Sequence, residues 1–185
     1  MNSLRVFNVF LLLIFLVGCG DQSLVKPEAK LRLQYPSPQF ESVKLSCPFS
    51  FDKNSIASIE VKKNCAVNIH YPKMKATVYL TYQPVNDNLN DLLSDAQKLT
   101  YDHTVKANEI FEQPRVDSIH KVYGMFYMIN GDAATQTQFY ATDSVKHFLT
   151  GSLYFKSKPN FDSIYPAVVY IRDDIRRIME TITWN

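Results

Sequence analysis

Asp143, Ser144 and His147 bring a carboxylate, a hydroxyl and an imidazole into one short stretch of chain. These are the groups from which nucleophilic hydrolysis is built. Their spacing argues against that use. A catalytic hydroxyl needs a base within reach, a third group to orient the base, and separate oxyanion donors. In "TDSVK" the Asp and Ser are instead the types with which a tight turn bonds its own backbone. The chain has no G-x-S-x-G elbow, no glycine-rich phosphate loop and no H-E-x-x-H pair. His103 falls in an apolar helical stripe between Leu99 and Ala107, where a buried ring bonded to a backbone or hydroxyl group is expected. The competing use of His103 is in a pocket between sheet and helices, where with a hydroxyl or carboxylate it would bind or hydrolyse a small molecule. His70 and His120 stand at strand ends without a second ligand at metal spacing. No catalytic residue, metal site or cofactor is expected.

The cysteines carry more information. Arg5 precedes an apolar run from Val6 to Val17, the length of a signal-peptide core and too short to span a bilayer. The run ends in Leu16-Val17-Gly18-Cys19, which looks like a bacterial lipobox. That resemblance implies cleavage before Cys19 and acylation (palmitate and related chains) of Cys19, so residues 1–18 would be the leader. Cys47 and Cys65 remain, an even pair in an exported chain, which favours a disulfide over two buried thiols. Neither has a sulfur or histidine partner at zinc spacing.

Residues 19–30 lack periodicity and read as a tether, leaving 31–185 as one domain. Of 20 basic residues only Arg5 lies in the leader, so 19 face 18 acidic ones, a balance that gives nucleic acid no basic stripe to bind. From Lys30 to Tyr82 the chain is strand-like; "KLRLQY" alternates, and "MKATVYLTY" places Met74, Ala76, Val78, Leu80 and Tyr82 on one face. Pro36, Pro38, Pro48 and Pro72 belong at strand ends or edges. Leu89, Leu92, Leu93, Ala96, Leu99, His103, Ala107 and Ile110 then follow helical spacing, with Pro114 after the end. A three-stranded meander follows, its first turn at Asn130-Gly131 and its second in "TDSVK". The last segment places Ile164, Val168, Ile171, Ile175, Ile178 and Ile182 on one stripe, Arg172, Asp173, Arg176, Arg177 and Glu180 toward solvent, and Pro166 in the first turn. The expected class is α+β: an antiparallel sheet packed with two long helices.

Four strings are more specific than these periods: "YPKMKATVYLTY" (71–82), "DHTVKA" (102–107), "VYGMFYMINGDAATQTQFYATDSVKHFLTGSLYF" (122–155) and "IRDDIRRIMETITW" (171–184). With the lipobox they resemble the gliding-motility lipoprotein GldD family of Bacteroidota. The resemblance implies a cell-envelope lipoprotein of the gliding machinery, operating beside type IX secretion and holding other envelope proteins as partners. It carries no active-site residues across. A non-enzymatic domain, anchored to a membrane through Cys19 and facing the periplasm, is therefore the expectation.

Overall fold

In the computed structural model, which describes residues 34–102, 106–156 and 160–185, two antiparallel sheets and two helices form the α+β architecture that the alternating patterns predict. The small sheet has the order β1-β2-β10, from β1 (Phe40–Lys44), β2 (Phe49–Asn54) and β10 (Thr183–Trp184). The large sheet is built from β3 (Ser58–Val61), β4 (Val67–Tyr71), β5 (Ala76–Pro84), β6 (Ala107–Asp117), β7 (Val122–Gly131), β8 (Thr135–Thr142) and β9 (His147–Phe155). Its order is β3-β4-β5-β9-β8-β7-β6. Period two decides which side each strand buries. On β5, Ala76, Val78 and Leu80 are buried while Tyr79 and Thr81 are exposed. Their register partners Leu153 and Gly151 on β9 face the same way.

That face is covered by the small sheet and by α2 (Phe161–Glu180), whose Ile171, Ile175, Ile178 and Met179 join Phe49, Phe51, Val78, Leu80, Leu149 and Leu153 in one core. The other helix, α1 (Leu89–Tyr101), buries only Leu92 and Thr100. Its Tyr101 hydroxyl donates to Glu112, which pairs with Tyr127 and so belongs to the opposite sheet face. The two helices thus lie on different sides of the large sheet.

The structure departs from the sequence expectations at five places. No strand is found at Gln34 and Tyr35, the described part of the "KLRLQY" alternation, where Pro36 and Pro38 follow. α1 ends at Tyr101, so Ala107 and Ile110 are not helical. They lie on β6, because pairing eleven residues against β7 satisfies more backbone than another helical turn. The meander therefore has four strands, and Pro114 sits within an edge strand, the one place in a sheet that tolerates it. Asn130 and Gly131 are the last residues of β7 and not the centre of its turn. Gly131 is still required there: its φ is +114°, and a Cβ would meet the Asn108 amide nitrogen at 2.7 Å, where β6 begins with an irregular register. Finally, α2 starts a turn early, capped by the Asn160 side chain, which accepts from the Ser163 amide. Pro166 is therefore inside the helix, and the carbonyl it leaves unpaired belongs to exposed Asp162.

Cys47 and Cys65 are joined, with Cα atoms 5.7 Å apart, tying the start of β2 to the segment before β4. Closing that loop contributes about 3 kcal/mol on the chain-entropy account. Replacing both cysteines with alanine is expected to lower Tm by roughly 6–12 °C, at about 2–4 °C per kcal/mol for a chain of this size. An unchanged Tm on reduction or replacement would show that the bridge adds nothing.

Candidate functional site

Cys19 and His103 lie outside the described residues. The remaining chemistry-bearing groups are brought together in four places, and the first is the Asp143 turn. Asp143 Oδ1 accepts the amides of Val145 (3.0 Å), Lys146 (2.8 Å) and His147 (2.8 Å). Burial pushes this carboxyl up, but the three amides outweigh it and hold its pKa below the ordinary value. Ser144 adopts φ +67° and bonds through its amide to Thr142 Oγ1 at 2.9 Å. His147 turns to a different set of partners: its Nδ1 lies 3.0 Å from the Tyr82 hydroxyl, and its ring stacks on Trp184 at 5.1 Å. The three residues close a hairpin and make no triad.

A second constellation was not legible in sequence. Cross-strand register places Glu60 on β3, Asn68 and His70 on β4 and Thr77 on β5 on one face of the sheet. His70 Nδ1 is 3.1 Å from Thr77 Oγ1, and its Nε2 is 3.4 Å from Glu60 Oε2. The His70 and Asn68 bonds hold the Glu60 carboxyl below its usual value. A hydroxyl–imidazole–carboxylate row is the chemistry of a nucleophile, yet Thr77 is buried and none of the described clefts opens onto these residues. The row acts as a cross-strand network at the sheet's end.

The third is a buried acid. Asp174 is 1% exposed, between the two sheets. Its oxygens accept from Asn54 Nδ2 at 2.9 and 3.2 Å, and the same amide reaches the Tyr170 hydroxyl at 2.9 Å. The Tyr71 hydroxyl sits beside this carboxylate, just outside standard hydrogen-bond geometry, so the carboxylate pushes its pKa up further, beyond the effect of burial. Burial raises the Asp174 pKa from 3.8 to about 6, against the pull of Asn54 and Tyr71. Tyr71 also lines a cleft of about 540 Å³ with Tyr35, Ile56 and Met74. The folded state binds this proton more tightly than the unfolded chain does. The group's contribution is therefore complete below about pH 4 and declines as pH rises through about 6. The Tm of the wild type, relative to Asp174→Asn, should fall between pH 4 and 7. A difference that stays flat over that range would show that Asp174 ionises freely.

The fourth is the turn joining β6 to β7. Asp117 Oδ1 accepts the Ile119 and His120 amides at 3.1 Å each, and Oδ2 accepts from His120 Nδ1 at 3.0 Å and Arg115 Nη2 at 3.1 Å. These bonds, the His120 backbone one first, hold the carboxyl at about 2. They also fix a turn that leaves Ile119 88% exposed. Asp117 organises local backbone and leaves no carboxylate oxygen free for a substrate.

The helix α2 corrects a further expectation. Arg172 and Arg176 are half-buried against the large sheet and do not project into solvent with Asp173 and Glu180. Arg172 donates to Thr137 Oγ1 (3.3 Å), Asn130 Oδ1 (3.3 Å) and the Gln136 carbonyl (3.2 Å). The Arg176 guanidinium lies over the Phe126 ring at 5.0 Å. Mixed charge along the sequence concealed this, because Arg172 and Arg176, four apart, share a flank that lies over the sheet while their exposed neighbours Asp173 and Arg177 lie on the next. Among the described residues no group of three or more metal-ligating side chains converges, and no helix is long and apolar enough to cross a membrane.

A family model described as "Gliding motility lipoprotein GldD" matches residues 20–184, beginning one residue after Cys19. No curated protein matches the chain.

Proposed function

The chain belongs to the GldD family of gliding-motility lipoproteins, and from that premise we propose that it is a non-enzymatic envelope component acting through contacts with other proteins of the gliding and type IX secretion machinery. The anchor is an acyl group on Cys19, and the domain faces the periplasm. The observation that carries this reading is that the polar constellations of the domain are spent internally, on turns, strand pairs and the inter-sheet cluster, and that neither His70 nor His147 lines a described cleft. A membrane anchor raises the domain's concentration beside its neighbours, so that modest contacts suffice. The test is the intact mass of the chain extracted from membranes. Cys19 is expected as the first residue, carrying acyl chains; an unmodified terminus would overturn the reading.

One observation favours a second reading. Tyr71, whose buried hydroxyl sits beside Asp174, lines the cleft with Tyr35 and Met74, as a small-molecule pocket would require. A native mass spectrum of the extracted chain carrying a bound small molecule that Tyr71→Phe removes would establish it; a ligand-free spectrum would dismiss it.

A further inference from the structure

Arg172 and Arg176 stand on the flank of α2 that overhangs β7, and no carboxylate comes within 4.0 Å of either among the described residues. Glu180 is four residues beyond Arg176, the spacing that favours an ion pair on a helix, and still makes none. Both guanidinium groups are half-buried and satisfied only by neutral acceptors and a ring. The best acceptor for an Arg176 Nη is the Met128 sulfur at 3.7 Å, and the Arg176 Nε is buried with no acceptor at all. Holding cations out of water without anions costs stability. A domain whose other buried charge is hydrogen-bonded has reason to keep such a pair only if an anion arrives from outside.

The ground beside them is open to a partner. Register places Glu109, Phe111, Gln113 and Arg115 of β6 next to Asn130, Met128, Phe126 and Gly124 of β7, all on the face that α2 covers. Met179, in the last turn of α2, lies over Gly124. The Arg176 guanidinium lies over the buried Phe126 ring, and β6 stands beyond with Phe111 44% exposed. β6 is the sheet's outermost strand, so its outward backbone groups border this flank along its length. Arginine, aromatic and methionine side chains are the make-up of protein interfaces. Planar guanidinium groups prefer carboxylates, which they can hold by two bonds.

We infer that this flank, from Arg172 and Arg176 across to Phe111, is a docking site for an acidic segment of a partner protein, whose carboxylates pair with the two arginines while an apolar side chain covers Phe111. The inference rests on the reading that the domain works through protein contacts, and names where. Photocrosslinking on the lipidated chain in living cells tests it, with benzoylphenylalanine placed at Phe111, and separately at Tyr79 and Ile119 as exposed positions elsewhere. The expected result is a protein adduct from position 111 whose crosslinked peptide contains Asp or Glu. Arg172→Gln with Arg176→Gln should reduce its yield at least tenfold. Gln113→Glu, an exposed position that leaves both arginines in place, should reduce it likewise and guards against misfolding of the double variant. An adduct from position 111 to lipid, or one indifferent to these changes, overturns the inference. Adducts only from positions 79 or 119 overturn it while leaving the protein-contact reading intact, and no protein adduct at any position counts against both.

Discussion

Gly124→Ala is expected to destabilise the domain by more than about 4 kcal/mol, enough to leave little folded protein. A methyl group at this position would stand 2.0 Å from the Tyr140 carbonyl oxygen and 2.9 Å from Met179 Cε. A methionine end can move, but the carbonyl belongs to β8, whose register against β7 runs from Tyr123–Thr142 to Met128–Thr137. Relieving the clash means parting those strands in the middle of the sheet and lifting α2 from the core. Gly151→Ala offers a graded comparison: its methyl would meet the Phe139 ring at 2.1 Å, a side chain that is itself buried, so the cost is again large but falls on packing. Urea unfolding of both variants measures the two costs. A Gly124→Ala domain within about 1 kcal/mol of the wild type would mean that β7 and β8 do not approach as described.

Cys19→Ala is expected to produce the largest functional effect. On the proposed reading, loss of the thiol blocks acylation and the precursor keeps its leader. Acyl chains contribute about 0.8 kcal/mol for each buried CH₂, and stable anchoring needs more than one chain or a second signal. Among the described residues no helix is long and apolar enough to cross a membrane. Gliding or type IX export in cells carrying Cys19→Ala should drop at least tenfold, with the uncleaved chain accumulating in fractionated membranes. The informative comparison is a soluble form exported without a lipid. If it restored both activities in full, the anchor would be dispensable and the contacts would need no membrane to concentrate them.

Two of the family strings, 71–82 and 122–155, become strands whose period largely survives packing. In "MKATVYLTY" the alternation holds from Val78 to Thr81 of β5, since a strand inside a sheet has only two faces to offer, while Thr77 is buried and Met74 and Lys75 form the turn before the strand. The stripe from Val168 to Ile178 likewise becomes the buried side of α2. Where a local pattern fitted two structures, the chain alone was ambiguous. The apolar spacing through Ala107 and Ile110 suits a helix, but those residues also alternate well enough to pair with β7, and the pairing prevails. Gly131 was legible as a glycine that must adopt positive φ, but its purpose, the close approach of Asn108, depends on a strand more than twenty positions earlier.

Sequence by itself determined the α+β class, the core stripes and the absence of the catalytic motifs sought, because each depends on neighbours within a few residues. Only tertiary structure decided which distant groups meet. Asp174 reads in the chain as one more charge on a solvated helix, until β2 supplies Asn54 and β4 brings Tyr71 alongside. Arg172 and Arg176 read the same way, until β7 and β8 place Phe126, Asn130 and Thr137 beneath them. Periodicity assigns a side chain to a flank of its helix. What lies under that flank is set by strands far away in sequence, and with it whether a charge meets water, a carboxylate or an aromatic ring.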